Sequence, residues 1–186
     1  MKKILLILFL FPGLCICSLS SSAQTSAHHI GEKFGGGIVF YISDNGHHGL
    51  IASVADLQDG ITWYNGLTRN TGTFDDRIGA GAKNTKIIVA KLLPDDPHGI
   101  FAAKLCVDYT VKADGVIYAD WFLPSKSELN ILFQNKDLVG GFLNRNYWSS
   151  TEYKTNSVWI QYFGDGRQRI SNSESYANVV RPIRAF

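Results

Sequence analysis

Five histidines, two pairs of adjacent aspartates, two glycine clusters and an arginine-flanked aromatic segment are the residues of this 186-residue chain whose types and spacing bear on chemistry. The histidines fall at His28-His29, His47-His48 and His98. Neighbours along a strand point to opposite faces, so such a pair does not converge on one metal ion, and exposed turn positions are the simpler expectation. Asp75-Asp76 and Asp95-Asp96 offer oxygen ligands, but calcium takes about six to eight of them. Neither pair lies in an Asp-x-Asp-x-Asp-Gly loop, so solvated loops are expected there. Gly79-Ala80-Gly81 leads into a helical pattern whose N-terminus suits an anion; the lysine of a phosphate loop is missing. Gly35-Gly36-Gly37 reads as a tight entry to a strand. Gly-x-Ser-x-Gly, Gly-x4-Gly-Lys-Ser/Thr, His-Glu-x-x-His and Cys-x-x-Cys are all absent. No catalytic residue, metal ligand or cofactor is therefore expected. A glycosidase carboxylate pair is defined by separation in space, so hydrolysis of an unrecognised type stays open as an alternative.

The strongest binding candidates lie in the last third. Tyr153-Lys154-Thr155-Asn156 forms a polar turn, and Trp159, Gln161 and Phe163 alternate with Val158, Ile160 and Tyr162. Strand periodicity turns one set inward and the other outward. Arg167 and Arg169 follow the Gly164-Asp165-Gly166 turn and share a face. Aromatics beside amides and arginines suit sugar faces or anionic groups. The candidate ligand-binding residues are thus Tyr153, Lys154, Asn156, Trp159, Gln161, Arg167 and Arg169. Trp121, Phe122 and Trp148 are expected in the core, and Arg181 and Arg184 in structural ion pairs.

These residues are carried by strands, then helices, then strands. Gly36–Ser43 and Gly49–Ala55 flank Asp44-Asn45-Gly46, whose Asn-Gly supplies the positive φ of a hairpin. Ile61–Tyr64 is a further short strand. Asn84–Leu92 and Ile100–Val111 have helical periodicity. Ser125 with Glu128 is a capping box, and the helix after it carries Leu129, Leu132 and Phe133 on one face. Tyr147–Ser150, Ser157–Phe163, Arg167–Ile170 and Val179–Phe186 read as strands. This order predicts an α+β domain with antiparallel strands and two to three helices over residues 30–186. Gln24–His29 is expected to be a loose polar leader.

Residues 1–23 resemble a secretory signal: Lys2-Lys3, an apolar stretch over Ile4–Ile16, then Ser21-Ser22-Ala23 before Gln24. The stretch is shorter than a span of about 20 residues. Lipidation at Cys15 or Cys17 is the rival route, but Leu14 and Ile16 before those cysteines are larger than a lipobox uses. Removing 23 residues from 186 leaves 163, with 16 basic residues against 16 acidic ones. Zero net charge gives no bulk attraction for nucleic acid. Only Cys106 of the three cysteines then remains, in an apolar run that predicts a buried, inert thiol. A soluble exported protein, in the periplasm or at the outer surface, is expected, with no membrane-spanning segment in the mature chain.

Several longer phrases recur together: Gly31–Tyr41, His48-Gly49-Leu50-Ile51-Ala52, Asn84-Thr85 and Ala102–Cys106, then Asp120-Trp121-Phe122-Leu123-Pro124-Ser125-Lys126 with Glu128-Leu129-Asn130. Tyr147–Glu152 and Val180–Phe186 complete the set. From about Ile30 to Phe186 the chain resembles the Lcl C-terminal domain family, bacterial domains of unknown function named for a collagen-like adhesin. The resemblance implies a C-type-lectin-like fold on a secreted or cell-surface protein, and, from the adhesin, binding of sulfated glycans and attachment. Collagen-like repeats are absent here. Glu-Pro-Asn, Gln-Pro-Asp and Trp-Asn-Asp, which calcium-dependent sugar-binding lectins use, are absent too. Cys106 alone does not supply the cysteine pair of formylglycine-generating relatives. The function these observations predict is a non-catalytic, adhesion-type module for surface glycan or protein. A structural part of an envelope assembly is the other alternative.

Overall fold

A computed structural model describes residues 27–67, 69–172 and 176–186, without the side chain of Asp59. The signal-like segment 1–23 lies outside the described residues. The chain is an α+β domain. Its strands are β1 (Lys33–Phe34), β2 (Gly37–Ser43), β3 (His48–Ala52), β4 (Gln58–Ile61), β5 (Val111–Ala113), β6 (Val116–Tyr118), β7 (Asn146–Lys154), β8 (Ser157–Tyr162), β9 (Gln168–Ser171), β10 (Asn178–Val180) and β11 (Ile183–Ala185). Among the described residues four helices are interposed: α1 (Ala80–Leu92), α2 (Ala102–Asp108), α3 (Lys126–Gln134) and the single turn α4 (Lys136–Val139).

Turn chemistry sets the hairpins. Gly35 and Gly36 carry φ of 54° and 85° between β1 and β2, and Asp44 and Asn45 carry 47° and 55° between β2 and β3. Both glycines adopt backbone angles that side chains resist. Strands then assemble as β1-β2-β3-β11 in one sheet and β4-β10-β7-β8-β9 in the other, with β5-β6 a separate hairpin. All pairs are antiparallel except β10 with β7.

The five-stranded sheet is covered on both faces. On one, Tyr147, Phe163 and Val179 pack against Ile38, Phe40, Leu129 and Leu132. On the other, Trp148, Val158, Ile160 and Val180 pack against Trp63, Ile88, Leu92 and Phe101. Trp63 and Trp148 clasp each other's strands: Trp63 Nε1 donates to Ser149 O at 2.8 Å, and Trp148 Nε1 to Ile61 O at 2.7 Å. Such pairing satisfies two indole N–H groups that burial would otherwise strand.

Three sequence expectations need correction. Val179–Phe186 is two strands in different sheets, because Pro182 lacks an N–H and the chain crosses between sheets at Arg181-Pro182. The Ile100–Val111 helix is shorter: α2 ends at Asp108, and Val111 opens a hairpin whose Asp114-Gly115 turn has φ of 50° and 78°. Of the Gln24–His29 leader, residues 24–26 lie outside the described residues, but His28 is held: its N–H donates to Gly46 O at 3.0 Å and its ring stacks on Phe34 at 3.9 Å.

Core and ion-pair expectations hold. Trp121, Phe122 and Trp148 are buried, as is the free thiol of Cys106, whose pKa burial drives up. Arg184 pairs with Asp120 at 2.7 Å. The fully buried Arg181 guanidinium pairs with Asp56 at 2.6 Å and donates to the carbonyls of Ser53 and Gly141. Asp56 also accepts from the Tyr147 hydroxyl at 2.7 Å.

Candidate functional site

The long connection from β4 to α1 has no regular structure where it is described, yet its backbone is fixed from 71 to 79. Two buried carboxylates hold its ends. Glu152 on β7 accepts from the N–H groups of Thr71 and Gly72, each at 2.8 Å. Glu128 on α3 accepts from Gly79 N at 2.8 Å. Between them, Glu152 N donates to Thr73 O, Asn84 Nδ2 to Asp75 O, and Ser127 N to Asp76 O. Ser125 Oγ, the α3 cap, donates to Arg77 O at 2.8 Å. Backbone polar groups thus turn inward, and Phe74, Asp76, Arg77 and Ile78 are left exposed. Long irregular segments are uncommon in compact domains, and those that are ordered tend to carry function.

Glu128 also answers the sequence reading of the α1 N-terminus as an anion site. Its carboxylate accepts from Ser125 N at 2.7 Å, closing the capping box, and from Gly79 N at 2.8 Å. One side chain therefore ties the residue before α1 to the cap of α3, and a β-carbon at Gly81 would collide with it. Burial raises the Glu128 pKa, against the lowering by these amide donors. With Glu128 and Glu152 both committed to backbone amides, neither is poised as a general acid or base.

The loop abuts an aromatic patch. Lys126 N donates to Thr151 Oγ1 at 3.0 Å, and Thr151 Oγ1 reaches Asp75 O at 3.3 Å. The Lys126 ammonium lies 3.7 Å from the centroid of the half-buried Trp159 ring. Tyr153, 50% exposed, meets that ring edge-on at 5.8 Å. A lysine over an indole is attracted by the ring quadrupole. Lys154 and Asn156 stand exposed at the adjoining β7–β8 turn, where Asn156 takes φ of 61°.

Register divides the seven candidate residues. Trp159 lies opposite Ile170 and Gln161 opposite Gln168, whereas Ile160 lies opposite Arg169. Opposed residues share a face, so Trp159 and the two arginines sit on opposite faces of the β8–β9 hairpin. Gln161 is 0% exposed, which corrects the outward alternation: β8 runs between two covered faces. Its Nε2 donates to Asn130 Oδ1 and to Gly166 O. Arg167 and Arg169 are exposed and approach Asp165 at 3.3 and 3.8 Å.

Sequence reasoning missed Lys126, which the capping box disguised as a helix start, and Phe74, Arg77 and Ile78. The length of the aperiodic stretch before Ala80 was their available signal. Among the described residues, no group of three or more His, Cys, Asp or Glu side chains could hold a metal ion, and no helix is long and apolar enough to cross a membrane. No family model and no curated protein matches the chain.

Proposed function

We propose that this protein is an exported, non-catalytic binding module of C-type-lectin-like fold. It recognises surface glycan through Tyr153, Trp159 and Lys126, beside the 71–79 loop. The observation carrying this reading is the Lys126 ammonium 3.7 Å over the Trp159 ring, with the Tyr153 ring edge-on and half exposed. Aromatic rings offer an apolar surface to the C–H face of a sugar while neighbouring polar groups address its hydroxyls. Lys126, Lys154 and Asn156 are those polar groups here. A fixed loop loses little entropy when a ligand seats against it.

Export rests on the Lys2-to-Ala23 segment, and surface location is also what the resemblance to Lcl C-terminal domains implies. With zero net charge after cleavage, any preference for sulfated or acidic glycans comes from Lys126 and Lys154 locally. Commitment of both buried carboxylates to amides favours binding over hydrolysis. A glycan array probed with the mature chain tests the proposal. Selective binding to one oligosaccharide class, weakened about tenfold by Tyr153→Ala, is expected. Binding to none of the arrayed glycans would remove the reading.

A further inference from the structure

We infer that the outer edge of β9 accepts an extended acidic peptide as a sixth strand of the five-stranded sheet. This inference stands apart from the glycan patch and uses the opposite face of the hairpin.

β9 is an edge strand among the described residues. Tyr162 N donates to Arg167 O at 3.0 Å, which fixes the phase of the ladder. Hydrogen-bonded pairs alternate with non-bonded ones in an antiparallel ladder. Ile160–Arg169 and Val158–Ser171 are therefore the bonded pairs. Gln161–Gln168 and Trp159–Ile170 are the non-bonded ones. It follows that the N–H and C=O groups of Gln168 and Ile170 point away from β8. No described residue hydrogen-bonds to these four groups. They form a two-residue docking ladder of the kind that strand addition uses.

Charge selects the occupant. Arg167 and Arg169 project from one face of this edge and, among the described residues, approach the carboxylate of Asp165 at 3.3 and 3.8 Å. A residue of the incoming strand opposite Arg169 lies within cross-strand reach of its guanidinium, where a carboxylate is favoured and a cation repelled. A second copy of this chain is a poor occupant. The register that uses Gln168 and Ile170 of both copies sets Arg169 against Arg169. The occupant is thus an extended segment with glutamate or aspartate at alternate positions.

The test uses the mature chain with capped peptides of alternating glutamate and valine or alternating lysine and valine. Binding is read by amide hydrogen exchange and by titration at low salt. The glutamate peptide is expected to bind at least about tenfold more tightly than the lysine peptide. It should protect the amides of Gln168 and Ile170 and leave that of Arg169, already bonded to β8, unchanged. Arg169→Glu alters an exposed side chain and should reverse the peptide preference. Equal affinity for the two peptides, protection elsewhere without Gln168 and Ile170, or a preference unmoved by Arg169→Glu would each overturn the inference. So would the absence of binding at about 1 mM peptide.

Discussion

Replacing Glu152 by glutamine tests whether the 71–79 loop is held by its buried clasp. Glutamine preserves shape but trades one carboxylate oxygen for an NH2 group. In the native chain both oxygens accept, from Thr71 N and Gly72 N at 2.8 Å each, and Glu152 is 2% exposed. The variant must leave one of the two N–H groups facing a donor. A buried donor without a partner costs about 1–3 kcal/mol. Gly72 N also donates to Asn70 Oδ1 at 2.9 Å and so keeps a partner, whereas Thr71 is 1% exposed. The amide therefore turns its oxygen to Thr71, and the loss settles near the lower half of that range, about 1–2 kcal/mol. Urea denaturation should show a lower midpoint with an unchanged slope. Native-state hydrogen exchange should show faster exchange at Thr71 and Gly72 while α1 and the β7–β8 ladder keep their protection. A loss under about 0.5 kcal/mol with unchanged exchange at both amides would refute the clasp. Uniform acceleration across the domain would refute its local character.

Four other outcomes follow from the same structure. Arg181→Lys cannot reproduce a guanidinium fork that reaches Asp56, Ser53 and Gly141, and should cost about 3–5 kcal/mol in thermal or urea unfolding. Arg77 holds the Asp75 carboxyl down to about 2, from an ordinary 3.8, and Arg184 lowers that of Asp120. Lowered native values give stability that is present above the ordinary value and lost as pH falls through the native one. Unfolding midpoints should therefore drop below about pH 4, and Asp120→Asn should lessen that drop. Glu128, raised by burial, acts with the opposite sign: its contribution weakens as pH rises from its ordinary 4.5, and Glu128→Gln should flatten that slope. The buried Cys106 thiol, with its pKa driven up, should resist iodoacetamide at about pH 8 in the folded chain and react on denaturation.

What the residues disclosed was mostly local. Asn45-Gly46 and Gly164–Gly166 demand particular backbone angles, and Ser125 with Glu128 is a self-contained cap, so hairpins and the α3 start were readable. Apolar patterning placed Trp121, Trp148 and Cys106 correctly. Gln161 was misjudged because alternation assumes one solvated face, and at Gln161 both faces of β8 are covered. The split of Val179–Phe186 hinged on Pro182 as a crossover between sheets, a tertiary event. The loop clasp was invisible because Thr71 and Glu152 are 81 positions apart. Lys126 was read for its backbone position, and only the folded chain brings its ammonium over Trp159.

The indole N–H spectrum during a glycan titration tests the recognition surface most directly. The four tryptophans report separately, and Trp63, Trp121 and Trp148 are buried internal controls. Titration of the mature chain with an oligosaccharide selected on the array should move the Trp159 signal and leave the other three in place. Trp159→Ala should weaken that oligosaccharide about tenfold or more. Saturable binding with a stationary Trp159 signal and an affinity indifferent to Trp159→Ala would contradict the account.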